Sequence, residues 1–168
     1  NVRSSNPSYA GWVVEFDFLF QLQECQRLSK PIILADGVEC EVQEIIEVNF
    51  KVDGWGSTLP SSASFWLKPM SWQQPGFDAI FIKKTPPKKK KKKGESTHIA
   101  QVLFIQATLS NKHKLNLSHF AKIVKGLPSE YSNCSVDIAF LSPSDSRENV
   151  TVAEFTADKT VFSTWTER

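Results

Sequence analysis

The sequence predicts an α/β domain: a mixed central sheet flanked by helices. Two apolar segments, "FDAIFI" (77–82) and "HIAQVLFIQATL" (98–109), are joined by a charged linker, which is the order of a hairpin. The second is followed by an amphipathic helix and another apolar segment, "SVDIAFLSP" (135–143), which is the order of a β-α-β crossover. A long aromatic-rich helix precedes them all. The predicted order is helix, strand, strand, strand, helix, strand, strand, with helices covering the faces of the sheet.

The first helix spans 9–28, "YAGWVVEFDFLFQLQECQRL", with Asn6, Pro7 and Ser8 supplying its start. Trp12, Phe16, Leu19, Phe20 and Leu22 recur at helical spacing, so the helix is expected to be heavily buried. Pro31 closes this region, and "PIILADG" reads as a short apolar segment and a turn. Residues 38–52 suit a strand, with Val42, Glu44, Ile46, Val48 and Phe50 on one side, although the first half fits a helix equally well. "DGWGSTLPSSAS" (53–64) is a loop by composition. In "FWLKPMSWQQPG" (65–76), Pro69 and Pro75 argue against a central strand or a helix. "NLSHFAKIVKGL" (116–127) is an amphipathic helix with Leu117, Phe120, Ile123, Val124 and Leu127 on one face, stopped by Gly126 and Pro128. "VTVAEFTA" (150–157) reads as a last strand.

The 168 residues suffice for a single domain over 1–168 with a real core. The first residue is Asn1, so the chain reads as a piece of a longer, modular protein. No apolar run is long enough to span a bilayer, and no membrane partner is expected. The net charge of +2 conceals an uneven distribution. Lys83, Lys84, Lys88, Lys89, Lys90, Lys91, Lys92 and Lys93 are eight of the twenty basic residues; without them twelve face eighteen acids, a balance of −6. The body of the domain is therefore acidic, and its basic character belongs to one loop, about 83–97, expected to be disordered. Cys25, Cys40 and Cys134 contain no CxxC pair and are odd in number, which points to reduced, buried thiols and not to zinc or a disulfide framework.

Chemistry is expected where the two strands of the hairpin meet. Asp78 starts one strand, while Gln106 and Thr108, two apart, share a face near the end of the next. Glu15, a carboxylate on the apolar side of the first helix, is costly there unless paired, protonated or bound to a cation. Two carboxylates, an amide oxygen and a hydroxyl are hard donors that suit Mg²⁺, and such an ion activates water and stabilises charge on a phosphodiester. Plainer readings stand beside this one: Asp78 as a turn or cap residue, Gln106 and Thr108 as ordinary polar residues of a half-buried strand, and Glu15 in a salt bridge with a lysine. His98, His113 and His119 lack metal-site spacing. Nothing in the spacing marks a nucleophile triad or a glycine-rich phosphate loop.

The segments "GWVVEFDFLFQL", "WLKPMSWQQPGFDAIFI", "VLFIQATLSNKHKL", "LSHFAKIVKGL" and "VDIAFLSP", in that order, resemble the restriction-endonuclease-like domain of crinkler effectors and the related retrotransposon hot spot proteins. The resemblance covers roughly residues 9–145, and its most specific piece is the Gln-x-Thr strand followed by "SNKH" and a helix. It implies the PD-(D/E)XK nuclease fold, with a core of helix, three strands, helix and strand. It implies Glu15 as the helix acid, Asp78 as the metal-binding acid, Gln106 at the (D/E) position and Thr108 where the family at large has lysine. It further implies Mg²⁺ or Mn²⁺ as cofactor for an active enzyme, DNA as partner, and secretion followed by action in a host nucleus. An amide at 106 and a hydroxyl at 108 remove a charged ligand and a cation, which leaves open a degenerate nuclease fold that binds DNA or a host nuclear protein without cutting. Lys112, Lys114 or Lys83 are candidates for the missing cation. Together with Lys84 and the run Lys88 to Lys93, they are the candidate nucleic-acid contacts; "PPKKKKKK" also fits a nuclear import signal or a solvated loop.

Overall fold

The computed structural model describes residues 7–34, 37–71, 76–85, 99–109, 112–141 and 151–156. In chain order the elements are α1 (Pro7–Leu28), β1 (Ile32–Ile33), β2 (Glu39–Cys40), β3 (Ile45–Val48), β4 (Ser64–Pro69), β5 (Ala79–Lys84), β6 (Ala100–Ala107), β7 (Lys112–Asn116), α2 (Leu117–Gly126), β8 (Cys134–Leu141) and β9 (Thr151–Thr156). Short 3-10 turns cover Trp55–Thr58 and Ser129–Tyr131. The expectation of an α/β domain with a mixed sheet holds: five strands run in the order β3-β4-β5-β6-β8. The strands β4, β5 and β6 form an antiparallel meander, β3 lies parallel to β4, and β8 lies parallel to β6 after α2 has crossed between them. Two small ladders stand apart, β1 with β2 antiparallel and β7 with β9 parallel.

Both faces of the sheet are covered. On one face Phe65, Leu67, Ile80, Ile82, Val102 and Phe104 pack with Phe120 and Ile123 of α2. On the other, Trp66, Phe81, Leu103 and Ile105 pack with Phe18 and Leu22 of α1. Alternate residues of each strand therefore enter opposite cores, which is why the central strands read as continuous apolar runs without polar alternation. Each large side chain so buried contributes about 1.5–3 kcal/mol. Phe77 anchors the first core: its ring lies 5.5 Å from Phe50 and 5.2 Å from Phe104, both edge-on. The buried indole of Trp66 keeps its one donor satisfied, giving its Nε1–H to the Glu41 carbonyl at 3.0 Å.

Local signals mark the end of α1 and the start of α2. After α1, Ser29 adopts a left-handed φ of 53°. Its N–H reaches the Gln26 carbonyl and that of Lys30 reaches the Cys25 carbonyl, which is Schellman geometry with serine in the place usually taken by glycine. The side chain of Asn116 caps α2 by accepting from the Ser118 N–H at 3.1 Å.

Two expectations are corrected here. The first helix is not buried around its circumference: Phe18 and Leu22 are buried, whereas Trp12, Phe16 and Phe20 are 49%, 67% and 61% exposed. The helix carries two apolar stripes, and only the one containing Phe18 and Leu22 meets the sheet. Residues 64–69 do form a central strand, despite Pro69. Proline stands at the last position, so its missing N–H removes nothing from the middle of the ladder, and Ser64 through Leu67 are buried. The segment 38–52 is split, pairing only at Glu39–Cys40 and Ile45–Val48. The three cysteines are thiols joined in no disulfide, Cys40 buried and the other two half-buried. Among the described residues no helix is long and apolar enough to cross a membrane. Asn6, Pro75 and His98 lie outside the described residues.

Candidate functional site

Asp78 is placed by what precedes it. Gly76 takes a φ of 90°, where a side chain would be strained, and a Cβ there would lie 3.4 Å from the Phe120 ring. Phe77, 1% exposed, then pins the chain into the aromatic core. Asp78 follows with its N–H donating to the Ile105 carbonyl at 2.8 Å and its Oδ2 accepting from the Ala107 N–H at 2.6 Å. The carboxylate is thus fixed between the start of β5 and the end of β6.

Glu15 approaches from α1. It and Asp78 line one groove of about 490 Å³, together with Phe16, Phe20, Lys68 and Met70. Burial pushes the Asp78 carboxyl up to about 7; the Ala107 N–H opposes this, and the nearby negative charge of Glu15 adds to it. Burial also raises the Glu15 carboxyl above the ordinary range. Two partly desolvated acids facing one groove carry charge with difficulty, which is the situation a divalent cation relieves.

Gln106 and Thr108 flank Ala107, whose N–H the Asp78 carboxylate accepts. Neither belongs to the described lining of this groove. Gln106 shares the face of Phe104, and the antiparallel register Ala79↔Ile105 sets it across from Asp78. Thr108 is only 8% exposed, and its N–H donates to the Leu141 carbonyl at 2.7 Å. The structure brings Glu15 and Asp78 into one groove and ties Asp78 to the backbone between Gln106 and Thr108, neither of which is among the residues lining the groove. Among the described residues, no three of His, Cys, Asp and Glu gather at one point. A cation here would rest on the two carboxylates, within the one or two that Mg²⁺ takes alongside retained waters.

Lys68 escaped sequence reasoning. It lies on β4, next to the start of β5, where Leu67 pairs with Ile80. Its side chain is 24% exposed, and its Nζ lies 2.8 Å from Glu47 Oε1. Only the pairing of β4 with β5 brings it into the groove with Asp78, and Pro69 and Pro75 hid that strand.

The other predicted lysines end β5, belong to β7 or lie outside the described residues. Lys83 and Lys84 end β5, at the opposite end from Asp78. At about 3.4 Å per residue they stand roughly 17 and 20 Å along the strand. Lys83 is thus too distant to supply a cation to Asp78. Lys84 pairs with Glu130 at 3.6 Å and lies 5.6 Å from the centroid of the Tyr131 ring. Lys112 and Lys114 are on β7, in register with Thr151 and Glu154 of β9. Lys88, Lys89, Lys90, Lys91, Lys92 and Lys93 lie outside the described residues.

No family model, curated protein or solved structure matches the chain.

Proposed function

We propose that this chain is a nuclease-fold domain acting on DNA phosphodiesters, with Glu15 and Asp78 as the carboxylates that take Mg²⁺ or Mn²⁺. The observation that carries this reading is the groove in which Asp78, held by the Ala107 N–H at 2.6 Å, faces Glu15. The succession α1, antiparallel β4-β5-β6, α2 and parallel β8 supports it, because it is the order that the resemblance to crinkler and retrotransposon hot spot domains implies. A divalent ion, when bound, supplies water activation and charge stabilisation on the phosphodiester. The chain's own part is to hold two acids in fixed positions and to bring Lys68 to the wall of the same groove. The setting proposed with this chemistry is that of a crinkler-type effector, secreted and then acting in a host nucleus.

A second reading is favoured by one observation: Thr108 is buried and Gln106 does not line the groove, so neither replaces the charges that the family motif normally supplies. In that case the domain binds DNA or a host nuclear protein without cleavage. Plasmid nicking in Mg²⁺ and in EDTA separates the two. Nicking that requires Mg²⁺ and is lost in Asp78→Asn supports the enzyme. DNA binding without nicking, weakening steeply with salt, supports the binding module. Nicking unaffected by Asp78→Asn refutes the assignment of the site.

A further inference from the structure

The groove holds more than acids. Phe16 and Phe20 project into it from α1, one helical turn apart, and are 67% and 61% exposed. Met70, 64% exposed, also lines it, from just beyond the end of β4. Phenyl rings left this open contribute little to the fold, whose cores lie on the other side of α1. They stand beside Glu15 and share the groove with Lys68 and Asp78. Flat apolar faces next to a candidate cation site and an ammonium complement one chemical object: a nucleotide whose base is free to stack and whose phosphate carries negative charge. In a duplex that base is held in the helical stack and its faces are covered, so a ring on a protein helix cannot reach them.

We propose that the groove takes an unpaired nucleotide, the base stacking on Phe16 and Phe20 and the phosphate meeting Lys68 and the cation held by Glu15 and Asp78, so that the substrate is single-stranded or locally unpaired nucleic acid. This rests on the reading of Glu15 and Asp78 as a cation site in a nuclease fold and adds the substrate class to it. The rings supply affinity that does not depend on base identity, because every base offers a π face. Lys68 lines the groove with its ammonium 2.8 Å from the exposed Glu47 carboxylate, so contact with a phosphate exchanges or shares that ion pair.

The test uses the full chain with a fluorescein-labelled oligothymidylate and a labelled blunt duplex, each in Ca²⁺ and in EDTA, read by anisotropy. The single strand is expected to bind at least about tenfold more tightly than the duplex. In Phe16→Ala/Phe20→Ala single-strand binding is expected to weaken by about tenfold or more, until that preference is lost, with duplex binding unchanged. Both positions are exposed, so the variant should keep its circular dichroism spectrum and melting temperature. The proposal is overturned if the variant binds both probes as the wild type does, or if single strand and duplex bind equally, while Asp78→Asn still removes the Ca²⁺ dependence; the cation reading then survives alone. If neither probe binds and Ca²⁺ has no effect on wild type or Asp78→Asn, both readings fall together.

Discussion

The Oδ2 of Asp78 accepts the backbone N–H of Ala107 at 2.6 Å, tying the first residue ahead of β5 to the last residue of β6. This single bond fixes a carboxylate at the end of a hairpin and aims it into the groove lined by Glu15. It also favours the charged form, but burial and Glu15 outweigh it, and the carboxyl is pushed up to about 7.

That balance gives a pH dependence with a definite sign. The unfolded chain releases the proton near the ordinary value of 3.8, while the folded chain holds it to about 7. The stabilisation from a neutral Asp78 is complete below pH 4 and is lost as pH rises through 7, because the native state must then accept a buried charge. Asp78→Asn keeps an acceptor for the Ala107 N–H and removes the charge. In EDTA it is expected to melt like the wild type at pH 4 and to be more stable by about 2 kcal/mol at pH 8, measured by thermal denaturation. Equal melting temperatures at pH 8 would show that the acid carries no penalty there.

Gly76 sets the turn that delivers Phe77 and Asp78. Its φ of 90° is unsuited to a side chain, and an added methyl would press on Phe120. Gly76→Ala is expected to cost about 1–2 kcal/mol in urea denaturation and to weaken divalent-ion binding as well, because Asp78 would be displaced from the Ala107 N–H. A variant as stable as the wild type would mean that the turn tolerates a side chain.

Ser29 stands in the left-handed position after α1 at a φ of 53°. A serine there is less comfortable than glycine by about 1 kcal/mol. Ser29→Gly is expected to raise stability by about 0.5–1 kcal/mol without touching the groove, read as a shift of the urea midpoint at constant slope. A lower midpoint would contradict the αL assignment.

What the sequence disclosed, and what it hid, follows from the range of the forces involved. The helix α2 is legible because Leu117, Phe120 and Ile123 make one apolar stripe and Asn116 and Gly126 mark its ends. The aromatic run of α1 is ambiguous: Trp12, Phe16 and Phe20 recur as regularly as Phe18 and Leu22, and only the sheet selects which stripe is buried. The β4 strand was masked by Pro69, since proline speaks against a central strand unless it stands at the end. The strand β7, beginning Lys112-His113-Lys114, offers no apolar alternation, and two-residue β1 and β2 are too short to leave a pattern. Within the site, Asp78 could be found because a turn and a strand bracket it. Gln106 and Thr108 flank the Ala107 N–H that Asp78 accepts, as the pairing of the two strands requires, yet neither lines the groove with Glu15. Lys68 reaches the groove through strand pairing, which no local pattern encodes.

We propose that Glu15 and Asp78 hold one divalent cation between them. Isothermal titration of Mn²⁺ into the wild type, Asp78→Asn and Glu15→Gln at pH 8 tests it most directly. One Mn²⁺ is expected to bind the wild type, with affinity at least about tenfold weaker in either variant and an accompanying rise in melting temperature only in the wild type. Mn²⁺ binding of equal strength in all three proteins would contradict the claim.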